Sequence, residues 1–271
     1  CSSDLEHTDY NGGCVLPCAL DIGTYAAVRK REDGRLLMYS MNFPESGIIE
    51  ADINVHTPDE KYGWALYVLG MFDAFTRLPE IKCAYPLESP VGLNGKAPGI
   101  TGFEICVYGN IPNGSGLSSS ASLEVLVGYI IKELFDIPLT NRDIAIIGMY
   151  AENNFCGVSC GIMDQFAIAM GERARAIFLD TNTLRFEYTP IVLDGIKIVI
   201  SCTNKVRKLG ESQYNNRRRE CEAALDILRK YKDAENLAQF SVAEFEEAGR
   251  LIKDEVLLKR ARHAISESER T

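Results

Sequence analysis

An α/β fold of mixed sheets and packed helices is what the sequence predicts, on three observations. Residues 102–108 (G-F-E-I-C-V-Y) read as a strand, pass through a glycine-rich turn, and open into a stretch where Leu123, Leu126, Val127, Ile130, Ile131 and Leu134 recur at helical spacing. Strand-like alternation returns at 28–55, 174–179 and 184–188, interleaved with helical stripes at 61–77 and beyond residue 221. The 271 residues are 46% hydrophobic, enough for one large core or two modest ones.

Bulk properties narrow the function classes. A formal charge of −9 argues against nucleic acid or an anionic membrane as the main partner, and points to a small molecule. No apolar run approaches about 18 residues and no leader-like segment opens the chain, so neither a membrane span nor a secretion signal is expected. Nine cysteines without a C-x-x-C, beside three histidines, make a disulfide framework or a zinc site improbable, and a reducing cytoplasmic location follows. The oligomeric state is not legible, with a monomer the expectation.

Taken in order, 14–27 is an apolar strand-like run behind a dense polar cluster, E-H-T-D-Y-N-G-G at 6–13. Asp33-Gly34 predicts a hairpin between 28–30 and 36–39. Residues 61–77 form a helix with Trp64, Tyr67, Val68, Met71, Phe72 and Phe75 on a core-facing side. Pro, Gly and Asn between 85 and 99 make a loop. Thr140 caps a helix over 141–153. Residues 174–179 and 184–188 read as paired strands, and 196–200 (I-K-I-V-I) as another, with 193–195 the candidate boundary between lobes at 1–195 and 196–271. Six basic residues and one acid lie between Lys205 and Arg219, a composition that a solvated helix start commonly produces. Short helices follow at 241–247 and from 255, the latter with Leu257, Ala261, Ala264 and Ile265 inward.

The turn carries the chemistry. Gly114 and Gly116 bring bare amides close to an anion, while Ser118, Ser119 and Ser120 crowd the first turn of the helix that follows. Free amides at a helix N-terminus stabilise an anion by roughly 0.3 to 2 kcal/mol. A turn that merely caps a helix would look similar, and no lysine follows the glycines as in a Walker loop. The string Pro112-x-x-x-Gly116-Leu117-x-Ser119-Ser120-Ala121 nevertheless resembles the ATP-binding loop of the GHMP small-molecule kinases.

Two further strings resemble the galactokinase branch of that family. E-H-T-D-Y-N-G-G followed by Val15-Leu16-Pro17 is similar to its sugar-recognition signature, and Gly157-x-x-Cys160-Gly161-Ile162-Met163-Asp164-Gln165-Phe166 to its catalytic segment. Without that likeness the first is a polar turn, Glu152 a solvated helix residue, and Asp164 a turn former. With it, the resemblance implies a two-lobed GHMP kinase. Glu6, His7, Asp9, Gly161, Asp164 and Tyr214 would contact the sugar, and Gly114, Ser115, Gly116, Leu117, Ser118, Ser119 and Ser120 the ATP. Ser120 and Glu152 would hold magnesium (Mg2+), and Asp164 would orient or deprotonate the anomeric hydroxyl. The implied reaction moves the γ-phosphoryl of ATP to α-D-galactose. Kinases for N-acetylgalactosamine or galacturonate are the alternatives, as is a sensor that binds galactose and ATP without turnover.

The approach Cys1-Ser2-Ser3-Asp4-Leu5 lacks the arginine that precedes this signature in the family, and the last residues stop inside a helical pattern. An incomplete chain with an unfinished second lobe and impaired catalysis is the expectation.

Overall fold

The computed structural model describes residues 7–78, 80–89, 99–112, 115–201 and 213–271. The strands are β1 (Cys14–Val15), β2 (Thr24–Lys30), β3 (Arg35–Ser40), β4 (Ile49–Asp52), β5 (Phe103–Gly109), β6 (Arg175–Asp180) and β7 (Phe186–Pro190). One sheet has the order β1-β6-β7 and is antiparallel throughout; the other has the order β2-β5-β3-β4, with its one parallel pairing between β3 and β5.

The mixed α/β class is as the sequence predicts, but three local expectations fail. The hairpin at Asp33-Gly34 does not pair β2 with β3, because β5 lies between them. The intruding segment replaces the missing rungs: Gly34 N donates to Thr101 O, Arg31 N to Gly102 O, and Thr101 Oγ1 to Arg31 O. Gly102, at φ 110°, runs so close to the Arg35 backbone that a Cβ would collide with its carbonyl oxygen, so only glycine serves there. The apolar run at 14–27 divides between two sheets, β1 in one and β2 in the other. Residues 196–200 form no strand; no described strand flanks them, and Val199 and Ile196 stand 84% and 65% exposed.

The helices are α1 (Leu66–Thr76), α2 (Ser119–Leu134), α3 (Asn141–Asn154), α4 (Met163–Ala169), α5 (Gln213–Leu228), α6 (Val242–Ala248) and α7 (Glu255–Arg270). The helix expected over 61–77 is tighter at its start: Glu60–Ala65 is a 3-10 segment broken at Gly63, and α1 begins only at Leu66. α3 starts on a full capping box, in which the Thr140 side chain accepts from Asp143 N while Asp143 accepts from Thr140 N, worth about 1 kcal/mol. Ser241 and Glu244 repeat the device at α6.

Apolar side chains gather in two clusters. The larger joins the sheets to α1–α4, with Phe72, Phe75, Phe103 and Phe166 fully enclosed; the smaller is enclosed by α5, α6 and α7 around Leu228, Phe245, Ala261 and Ile265. No helix among the described residues is long and apolar enough to cross a membrane.

Candidate active site

The polar cluster near the start of the chain sits where the two apolar clusters meet. A short 3-10 turn, Asp9–Asn11, is closed by Gly12 at φ 75°, and Thr8 O accepts from both Asn11 N and Gly13 N. Asn11 Nδ2 donates back to His7 O at 2.6 Å. This winding fixes His7, Asp9 and Tyr10 against α5 and α7, with Ser268 of α7 pressing on Gly13.

His7 is held from three sides. Arg217 Nη1 lies 2.9 Å from Nε2 and Tyr10 Oη 2.8 Å from Nδ1, while the rings of Tyr214 and His263 stand 5.5 and 6.3 Å away. A guanidinium can only donate, so Nε2 accepts and the imidazole proton belongs on Nδ1, directed at Tyr10. Burial and the charge of Arg217 lower the His7 pKa to about 4, which keeps the ring neutral at pH 7.

Asp9 is buried against the backbone of Gly161, where a Cβ would overlap its carboxylate. Desolvation, then repulsion from Asp164, raises its pKa to about 7. Tyr214, on the first turn of α5, feels both Asp9 and Asp164, and its phenol is pushed well up by burial. His7, Asp9, Gly161, Asp164 and Tyr214, dispersed over more than 200 residues of sequence, thus form one cluster.

The segment that carries Asp164 is gripped by α5. Asn215 Nδ2 donates to Gly157 O and its Oδ1 accepts from Ser159 N, both at 2.9 Å. Arg218 Nη1 donates to Ser159 O and Cys160 O, and Asn153 Nδ2 from α3 also reaches Cys160 O. The chain then enters α4, with Asp164 in its first turn. Arg217, Arg218 and Asn215 belong to the stretch that reads in sequence as a solvated helix start; their pairing with residues near 7 and 159 is long-range.

The glycine-rich turn ends with Gly116 at φ 77° and Ser118 in the left-handed region at φ 57°. Ser118 is the N-cap of α2 yet makes no side-chain cap bond, so the turn is not simply a cap for the helix. Ser115, Gly116, Leu117, Ser118, Ser119 and Ser120 line this entry to α2; Gly114, like Glu6 and the basic residues of 205–208, lies outside the described residues.

Glu152 joins the two regions. Buried on α3, it accepts from Gln165 Nε2 at 2.7 Å, and its pKa is raised by burial and by Asp164 while the neighbouring Cys160 and Ser120 side chains act to lower it. Ser120 acts likewise on the Tyr67 phenol. Beneath them Glu124 is wholly buried, its pKa driven well up by desolvation and by Glu152. Gln165 Nε2 donates to Glu124 as well, at 3.0 Å, while Glu124 Oε1 has no hydrogen-bond partner among the described residues. Glu124 is invisible to sequence reading because its spacing matches the apolar stripe of α2.

This donor set fits magnesium: the Ser120 hydroxyl and the Glu152 carboxyl, near enough to act on each other, are hard oxygen donors of the kind the ion takes. Among the described residues no group of three or more His, Cys, Asp or Glu could hold a metal alone, so phosphate and water oxygens would complete the shell.

Comparison with known proteins matches residues 81–172 to the family "GHMP kinases N terminal domain" and residues 6–30 to the "Galactokinase galactose-binding signature". The galactokinase of Clostridium acetobutylicum is 48% identical over 98% of this chain, and that of Ligilactobacillus salivarius 47% over 98%. The chain spans 64% of the length of each. The crystal structure of Lactococcus lactis galactokinase complexed with galactose superposes with a TM-score of 0.83 at 40% identity, covering 98% of this chain and 64% of that one. Methanococcus jannaschii mevalonate kinase, at 16% identity and a TM-score of 0.55, covers 92% of this chain and 74% of its own and shares the fold alone.

Proposed function

Because this chain is a homologue of the galactokinases and carries a GHMP kinase N-terminal domain together with the galactokinase galactose-binding signature, we propose that its protein phosphorylates α-D-galactose at the anomeric hydroxyl, with ATP as donor. The observation that carries this reading is the succession Asp9, Asp164, Glu152, Ser120, each side chain acting electrostatically on the next, which runs from a cluster of polar side chains suited to a polyol to a helix N-terminus suited to phosphate. Glu6, His7, Asp9, Gly161 and Tyr214 bind the sugar. His7 offers a fixed tautomer, and Asp9 a carboxyl that titrates near pH 7 and can donate to or accept from a hydroxyl.

Asp164 orients the anomeric hydroxyl and takes its proton late in the transfer. Residues 114–120 hold the phosphates against the first amides of α2. Ser120 and Glu152 hold magnesium, which when bound offsets phosphate charge. The lobes divide at 195/196, the protein acts as a cytoplasmic monomer, and the smaller apolar cluster is the part of the second lobe that this chain contains.

The deciding experiment incubates the protein with ATP, magnesium and galactose and measures galactose 1-phosphate, beside parallel reactions with N-acetylgalactosamine and galacturonate. Transfer to galactose supports the reading, and transfer confined to another sugar overturns the specificity. Galactose-dependent stabilisation without any transfer would instead identify a sensor.

A further inference from the structure

We propose that Glu124 is a positioning residue that aims the Glu152 carboxylate at the cation site shared with Ser120, an assignment that rests on the metal-site reading above. Glu124 lies one turn beyond Ser120 on α2, is 0% exposed, and has no cationic partner among the described residues. A buried acid without a counter-charge lowers stability relative to a well-packed apolar residue. Most other buried positions of α2 are apolar, Ala121, Leu123, Val125 and Val127 among them, so helix packing alone gives no reason for a carboxyl there.

Its contacts supply a reason. The single amide nitrogen of Gln165 gives one N–H to Glu124 Oε2 at 3.0 Å and the other to Glu152 Oε2 at 2.7 Å. The amide is therefore bound at two points, and its plane fixes the Glu152 oxygen it touches. Without Glu124 the Gln165 side chain is tethered at one point and can rotate. Glu152 then loses its defined direction toward Ser120, as happens to metal ligands whose supporting hydrogen bonds are removed. Glu124 and Glu152 also act on each other directly, and among the described residues the buried oxygens Glu124 Oε1 and Gln165 Oε1 have no hydrogen-bond partner.

The test uses Mn2+, which takes the same oxygen donors, titrated with ADP present and followed by electron paramagnetic resonance. Glu124→Leu is expected to melt at the same temperature as the parent or higher, yet to bind Mn2+ about tenfold or more weakly, the range that loss of supporting contacts produces. Glu124→Gln, which keeps a hydrogen bond to the Gln165 amide, should stay within about threefold of the parent. If the leucine variant does not fold, Glu124→Met carries the same expectation. Parent-like Mn2+ binding by the apolar variant overturns the assignment, as does a fall in melting temperature that accounts for the loss. A parent that binds no Mn2+ with ADP overturns the metal-site reading itself.

Discussion

Asp9 occupies the space that a side chain on Gly161 would need: a Cβ built on that glycine falls within the van der Waals envelope of the Asp9 carboxylate. The tight turn at the start of the chain and the segment that introduces Asp164 are therefore packed in direct contact, and each sets the position of the other.

Gly161→Ala should displace Asp9 while leaving α2 and its glycine-rich entry untouched. The expected result is a loss of galactose affinity of about tenfold or more with nucleotide affinity unchanged, in the range of other overpacking changes of 1–3 kcal/mol. Calorimetric titration of both ligands checks it, and parallel losses would show that the damage is global.

Two groups of the polar cluster contribute to the pH dependence of stability in opposite senses. Asp9, raised to about 7, keeps a proton in the folded state that the unfolded chain gives up near pH 4, so raising the pH from about 4 to 7 removes stability. His7, lowered to about 4, stays neutral when folded, so lowering the pH from 6.5 to about 4 removes stability. The two nearly cancel between pH 4 and 6.5. Asp9→Asn abolishes one of them: the variant should gain stability over the parent at pH 8, on the order of 4 kcal/mol, and the gain should shrink by pH 5. Thermal melts at both values measure this, and an equal difference at the two would remove Asp9 as the source.

Arg218 donates to two successive carbonyls just before Gly161, and each such charged bond contributes about 1.5–3 kcal/mol. Arg218→Met should lower protection from hydrogen exchange across 157–162 while amides in the middle of α2 keep theirs. Uniform loss along the chain would mean that the arginine acts on overall stability instead.

Asp164→Asn keeps the size of the side chain and removes its charge. Phosphate transfer should fall by about a hundredfold or more, the usual contribution of a positioned proton acceptor, with ATP affinity within about twofold. Undiminished transfer would take Asp164 out of that role.

What the sequence discloses is what local chemistry determines. The Thr140 and Ser241 capping boxes, the β6–β7 pair and the amphipathic α7 are each written in a few adjacent residues, and periodicity finds them. Glu124 and the Asn215, Arg217 and Arg218 trio escape it because their partners are distant in sequence: a buried acid at an apolar spacing and a basic run both have ordinary local explanations. The hairpin at Asp33-Gly34 fails for the same reason. The turn is real, since Gly34 has φ 71°, but a strand some seventy residues later competes for both neighbours.

That competition constrains assembly on the ribosome. When residues 24–40 emerge, the segment that belongs between them has yet to be synthesised, so a direct hairpin is the nearest bonding open to a nascent chain. The native sheet requires residues 103–109 between β2 and β3, so it cannot close until a further stretch of roughly seventy residues has been made and folded back.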